Sequence, residues 1–292
     1  MICEIAPAKI NLTLEILKKR NDGYHEIKSV MQTINLCDCL TIWEHEWIQV
    51  VPEYYNLPAG DTLPNFDNYN NFSDNLVFKA ATTLQKITGF KGGAVIQLKK
   101  TIPSCAGLGG GSSDAAATLK GLNKLWKLNL SREELAKIGS LIGSDIPFFI
   151  YGGTCLAMGR GEIIENIVSI QKKWLTLILL PIKIEQKTKR LYSFITPENY
   201  SSGNFTSKFI RNMNNGLENN IFNVFEIVYN NIFKEYNYYL EKLLKITGKT
   251  FHLSGSGPTV FSISESEEEA KSMLNQCDGE LKLNKYIAQT VP

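Results

Sequence analysis

Residues 103–123 read PSCAGLGGGSSDAAATLKGLN, directly after the extended apolar stretch AVIQLKKTIP. From Asp114 onward, Ala115, Leu119, Leu122 and Trp126 recur at helical spacing, which predicts a helix from Asp114. The order is therefore strand, glycine loop, helix. Glycine takes positive φ at little cost, and successive N–H groups in such a loop converge on anions. A helix start adds unpaired N–H groups and the positive end of its dipole. Gly107, Gly109, Gly110 and Gly111, with the hydroxyls of Ser112 and Ser113, form a candidate phosphate cradle. A flexible turn without a ligand is the plain alternative, and it leaves the entropic cost of four glycines without a purpose.

Two common phosphate-loop spacings are excluded. The pattern G-x-G-x-x-G, counted from Gly107 and Gly109, reaches Ser112. The only GKT, at 248–250, has Leu243 where a P-loop needs its first glycine. H-E-x-x-H is absent as well. A second glycine cluster, HLSGSGPTVF at 252–261, lies between an apolar helical run and a strand. It is placed either to close over phosphates or to hold the first loop.

Elsewhere the text alternates. Residues 2–16 read as a strand, Asp22 and Gly23 as a turn, and VMQTINLCDCLTIWE as a second extended stretch. The Pro-, Asn- and Asp-rich segment 52–75 reads as a surface excursion. A helix follows Ser73 or Asp74 and stops near Gly89, and another carries a Ser131/Glu134 capping box and ends at Gly143. Asp145 and Pro147 open a further element. WLTLILLPI and YIAQTV are strand candidates, and Leu217, Ile221, Val224, Phe225 and Val228 keep helical spacing. Strands mixed with helices give an α+β class. A length of 292 residues and a change of texture divide it into domains 1–158 and 159–292.

A net charge of +2 excludes a strong field for nucleic acid, so any basic site is local. The six cysteines show no C-x-x-C spacing, and Cys37 and Cys39, flanking Asp38, have no second pair to complete a metal site. Buried thiols in a reducing cytoplasm are expected, with no protein-built metal centre. The N-terminus lacks a signal peptide, and the longest apolar run is too short to span a bilayer, so no membrane partner is expected.

The spelling P-x-x-A-G-L-G-G-G-S-S-D-A-A at 103–116 resembles the ATP-binding motif of the superfamily named for galactokinase, homoserine kinase, mevalonate kinase and phosphomevalonate kinase. PAKINLTLEIL at 7–17 resembles its first motif, and LSGSGPTVF at 253–261 its third. The match thus spans almost the whole chain in the right order. DGYH at 22–25 and GSDIPFF at 143–149 are similar to the branch that phosphorylates a hydroxyl of a cytidine-diphosphate-linked polyol in isoprenoid biosynthesis. The resemblance implies a two-domain α+β small-molecule kinase fold. Its N-terminal domain would be like the second domain of ribosomal protein S5, and its C-terminal domain ferredoxin-like. A sister kinase such as a homoserine kinase, a decarboxylase on the same fold, or a silent binding protein are the competing expectations.

Residue roles follow from the resemblance. It implies Lys9 and Asp145 as catalytic; local signals alone favour Asp145 as a helix N-cap before Pro147, a place compatible with a catalytic role. Asn75, Lys100, Pro103, Ala106, Gly107, Leu108, Gly109, Gly110, Gly111, Ser112 and Ser113 would bind ATP. Asn11, Tyr24, His25, Thr188 and Tyr192 would bind the cytidine substrate, with the rings of Tyr24 and Tyr192 on opposite faces of the base. The IKIEQK that precedes Thr188 departs from the family spelling. Mg²⁺ is expected to arrive with the nucleotide, in keeping with its preference for water and phosphate oxygens. A monomer or weak homodimer is expected.

Overall fold

The computed structural model describes residues 1–54, 75–213, 216–278, 281 and 283–292. Residues 55–74, most of the excursion expected at 52–75, lie outside the described residues. In chain order the elements are β1 (Ile2–Asn11), β2 (Thr13–Lys19), β3 (His25–His45), β4 (Gln49–Tyr54), α1 (Leu76–Thr88), β5 (Gly93–Lys100), α2 (Gly110–Leu125), α3 (Arg132–Ile142), α4 (Ile146–Tyr151), β6 (Thr154–Gly159) and β7 (Ile163–Asn166). They continue with β8 (Trp174–Leu179), α5 (Lys187–Ser193), α6 (Asn204–Asn212), β9 (Phe222–Asn223), α7 (Val224–Ile232), α8 (Lys234–Thr247), β10 (His252–Leu253), β11 (Thr259–Ser264), α9 (Glu267–Asp278) and β12 (Asn284–Gln289). No helix among the described residues is long and apolar enough to cross a membrane.

The chain divides into two compact units, and neither is continuous in sequence. Residues 1–8, 36–104 and 109–152 make the first; 9–35, 105–108 and 153–292 make the second. A division at 158 cuts the chain differently, because the second unit also takes in 9–35 and the four residues that open the glycine loop.

In the first unit, the second half of β3 pairs antiparallel with β5, from Cys39 opposite Lys99 to His45 opposite Gly93, and β4 pairs parallel with β5. Leu40, Ile42, Ile96 and Leu98 are buried, as are Val77, Ala80, Ala81 and Leu84 of α1 at helical spacing. Asn75 caps α1 through its side chain, and Gly89 ends the helix in the left-handed region, where the sequence places the stop. Helix α3 has the expected capping box: the Ser131 hydroxyl accepts from Glu134 N, and the Glu134 carboxylate accepts from Ser131 N at 2.7 Å. Helix α2 differs from expectation. It begins at Gly110, four residues before Asp114, with left-handed Gly109 as its N-cap. The reason is packing: a Cβ on Gly110 would lie 3.0 Å from Ile102 Cγ2, so a residue without a side chain lets the first helical turn press against Ile102, two residues past the end of β5.

In the second unit, β2 and β6 both pair antiparallel with the first half of β3, β6 pairs with β7, and β9 adds parallel to β2. The run 2–16, expected as one strand, breaks at Leu12, whose N–H turns to Val30 O. Asp22 Oδ1 accepts from Tyr24 N in the expected Asp-Gly turn. A separate antiparallel sheet runs β10-β11-β8-β12. Strand β8 is paired on both edges and covered by α9, which explains its near-continuous apolar text. Leu14, Ile16, Ile178, Val224, Phe225, Tyr229, Leu253 and Val260 form the core here. The helical spacing across 217–228 is not one helix: a 3₁₀ turn at Leu217–Asn220 and the short β9 precede α7. Asn223 forces the break, because its side chain accepts from Phe225 N while its amide donates to the carbonyls of Leu253 and Gly255.

Candidate active site

The glycine loop is anchored by its carbonyls. Within the second unit, Thr259 N donates to Ala106 O at 3.2 Å, Ser254 Oγ donates to Gly107 O at 3.1 Å, and Lys9 N donates to Leu108 O at 3.0 Å. A peptide plane points its C=O and the following N–H in opposite directions. Tying these three carbonyls down therefore turns the N–H groups of Gly107, Leu108 and Gly109 the other way. Among the described residues none of those three groups donates to the chain. Gly107 has φ +82, and a Cβ there would lie 2.2 Å from Ser254 O, so only glycine fits. Of the two roles open to the 252–261 cluster, the geometry displays that of holding the first loop.

In the first unit, Gly109 caps α2, and Ser113 N bonds back to Gly109 O at 2.9 Å. The N–H groups of Gly110, Gly111 and Ser112 have no intrahelical acceptor. Ser112 is half-buried; Ser113 is buried, and its hydroxyl has no partner among the described residues. Pro103 is half-buried and Ala106 buried.

Lys100 is an ion-pair centre. Its ammonium lies 2.7 Å from Asp114 Oδ2 and also bonds Asp38, whose other oxygen accepts from Ile102 N at 2.8 Å. Burial pushes the Asp114 carboxyl up to about 7; Lys100 opposes that shift, and Asp38 adds to it. Burial alone would pull Lys100 down, but the two carboxylates outweigh it and raise its pKa. Asn75 spends its side-chain oxygen on Val77 N, at 2.9 Å. Asp145 occupies the N-cap position of α4 yet makes no side-chain cap hydrogen bond, so its carboxylate is not committed to that helix end.

Lys9 and Asn11 belong to the second unit, Asp145 to the first. Lys9 is buried, and its ammonium donates to Asn11 Oδ1. Asn11 Nδ2 donates to Ser29 Oγ at 2.8 Å, and Ser29 Oγ donates to Thr13 O, so a buried polar relay fixes the lysine. Gly255 adjoins this pair: a Cβ there would come within 3.0 Å of both Lys9 Nζ and Gly107 O. The structure thus brings together Lys9, Asn11, Gly107 and Gly255.

The residues expected around cytosine lie in the second unit. His25 stacks on Tyr192 with ring centroids 5.0 Å apart, and Tyr200 meets the imidazole edge-on at 6.4 Å. Burial and nearby Lys19 lower the His25 pKa. Tyr24 is exposed, with the Arg160 guanidinium 4.8 Å above its ring. The Tyr192 ring therefore packs on His25, a contact not among the sequence expectations. Thr188 Oγ1 lies 3.3 Å from Ser256 Oγ in the second glycine cluster.

Sequence reasoning passed over Asp38, Asp114, Arg160, Lys187 and Ser254. Asp38 had a signal: it is a lone acid in an apolar strand. Asp114 and Ser254 stand inside the quoted second and third motifs, but the groups they bond are remote in sequence, and Arg160 and Lys187 have no signal. Among the described residues no three His, Cys, Asp or Glu side chains converge as metal ligands.

Residues 75–153 match the family described as GHMP kinases N terminal domain, and residues 204–282 match GHMP kinases C terminal. A 4-diphosphocytidyl-2-C-methyl-D-erythritol kinase of Macrococcus caseolyticus is 39% identical over 96% of this chain and 96% of its own. The crystal structure of a 4-(cytidine 5'-diphospho)-2C-methyl-D-erythritol kinase superposes with a TM-score of 0.79 at 25% identity, covering all of both chains. A homoserine kinase from Cytophaga hutchinsonii shares the fold, with a TM-score of 0.70 at 16% identity, over 99% of this chain and 94% of its own. Anchored loop, buried lysine and full-length similarity agree: the chain belongs to the GHMP kinases, within the 4-diphosphocytidyl-2-C-methyl-D-erythritol kinase family.

Proposed function

We propose that this chain transfers the γ-phosphoryl group of ATP to the 2-hydroxyl of 4-diphosphocytidyl-2-C-methyl-D-erythritol, releasing ADP, as a step of isoprenoid precursor synthesis. The observation that carries the reading is the glycine loop with its carbonyls tied to Thr259, Ser254 and Lys9 and its amides turned away from them. Ala106 to Ser113 would hold the phosphates, with Pro103, Asn75 and Lys100 bordering the nucleotide. In Lys100 the ammonium is engaged by two carboxylates, which leaves its methylene stem as the part to line the purine.

In the transfer, the substrate oxygen attacks the γ-phosphorus, the bond to the β-γ bridging oxygen breaks, and the hydroxyl proton leaves. Asp145 receives or orients that proton. Lys9, fixed by Asn11, offsets charge on the phosphoryl group. Tyr24, His25, Thr188 and Tyr192 would hold the cytidine end, and Asn11 would reach the polyol. Mg²⁺ would enter on the triphosphate, and the Ser112 or Ser113 hydroxyl would reach it or a phosphate oxygen. The domains 1–158 and 159–292 are supported by family regions that fall on either side of 158. A cytoplasmic monomer or weak homodimer, with no nucleic acid or membrane partner, completes the reading.

The test is purified protein with ATP, Mg²⁺ and, separately, cytidylyl-methylerythritol, homoserine and mevalonate. ADP release confined to the first is expected. Turnover with only one of the others overturns the substrate and leaves the kinase class standing.

A further inference from the structure

One cation near the glycine loops has no role in the reading above. Lys187, the first residue of α5, is half-buried, and its ammonium donates to Cys105 O at 2.5 Å and also to Gly257 O. Those carbonyls come from the first and second glycine loops respectively, and all three residues belong to the second unit. Among the described residues Lys187 forms no ion pair with a carboxylate. Burial and the nearby Lys9 push its pKa down to about 8, so it is still mostly charged at neutral pH.

The backbone on both sides of this bridge is strained. Cys105 has φ +54 and Gln186 has φ +45, left-handed conformations that non-glycine residues adopt only where the surroundings enforce them. The bond from Lys187 to Cys105 O is such an enforcement. It also turns the following N–H, that of Ala106, away from the lysine, so that four carbonyls in a row, from Cys105 to Leu108, are tied down. Lys187 lies in the stretch before Thr188 where the spelling leaves the family pattern.

We propose that Lys187 is a positioning residue for the nucleotide triphosphate: by clamping Cys105 O and Gly257 O it holds the two glycine loops in the arrangement that binds phosphate. This deepens the kinase reading and rests on it. A group acting through the loop changes affinity for the phosphate chain and leaves affinity for the cytidine end alone.

The experiment compares the parent with Lys187→Met, which has no donors, and Lys187→Arg, which keeps them. It measures KM for ATP and for cytidylyl-methylerythritol, kcat, melting temperature, and affinity for inorganic tripolyphosphate by calorimetry. Lys187→Met is expected to raise KM for ATP and weaken tripolyphosphate about tenfold, the scale of a charged hydrogen bond, with kcat and the other KM within about twofold. Lys187→Arg should restore both. Parent-like ATP KM and tripolyphosphate affinity in Lys187→Met overturn the proposal, as does an equal rise in both KM values together with a fallen melting temperature. Should Lys187→Met not fold, Lys187→Gln, neutral and one bond shorter, carries the comparison: weakened ATP and tripolyphosphate binding with the cytidylyl-methylerythritol KM kept supports the clamp, and parent-like values overturn it. Tripolyphosphate binding needs no turnover, so failure of the kinase reading is read separately.

Discussion

Lys100 Nζ lies 2.7 Å from Asp114 Oδ2, a bond that ties the last residue of β5 to the second turn of α2 and closes the segment containing the whole glycine loop. With Asp38 on its other side, the ammonium sits between two carboxyl groups that are almost wholly buried. Lys100→Met leaves both without a cation, and breaking a buried pair in this way typically removes about 3–5 kcal/mol. Urea unfolding should show a loss in that range, whereas a loss below about 1 kcal/mol, the scale of an exposed pair, would contradict the network.

The same cluster sets a pH dependence. Asp114 titrates near 3.8 when unfolded and is pushed up to about 7 in the fold, so the folded chain holds the proton more tightly. Its contribution is fully present below pH 4 and is lost as pH rises through 7, with a slope of at most about 1.4 kcal/mol per pH unit. Stability measured from pH 4 to 7 should therefore fall less steeply in Asp114→Asn than in the parent. Equal slopes would remove Asp114 as the source.

Gly107→Ala confronts a backbone carbonyl 2.2 Å away at φ +82. The neighbour is main chain and cannot rotate aside. A loss of about 1–3 kcal/mol in stability is expected, with KM for ATP raised more than KM for the polyol substrate. Unchanged values for both would mean that the two glycine loops do not bear on each other.

For Asp145→Asn the expectation separates chemistry from folding. The side chain makes no cap hydrogen bond to α4, so no cap is lost with it and circular dichroism should show the helix content of the parent. If Asp145 receives the hydroxyl proton, kcat should fall about 10²- to 10⁴-fold. A variant as active as the parent would strike Asp145 from the mechanism.

What the sequence made legible was whatever is decided within a turn or two of chain. The Ser131/Glu134 box, the Gly89 and Gly143 helix ends and the Asp22-Gly23 turn depend on neighbours a few residues away, and all are present. The start of α2 was not legible, because local preference reads Gly110 and Gly111 as loop while contact with Ile102 makes them helix. The break before α7 depends on Asn223 reaching carbonyls about 30 residues further on. In the candidate site, family spelling located Lys9 and the glycine loop. The third motif contains Ser254 without saying which carbonyl it holds, and nothing local marks Lys187, since what each holds is a carbonyl distant in the chain.

Strand β2 has a timing problem during synthesis. Its parallel neighbour β9 pairs Thr13 with Phe222, so the second edge of β2 has no occupant until roughly 200 further residues have left the ribosome. At about 5–20 residues per second that interval is on the order of 10–40 s. For that time the nascent edge lacks its partner, which makes a holding chaperone, or translation fast enough to shorten the interval, the condition under which newly made chains should escape aggregation.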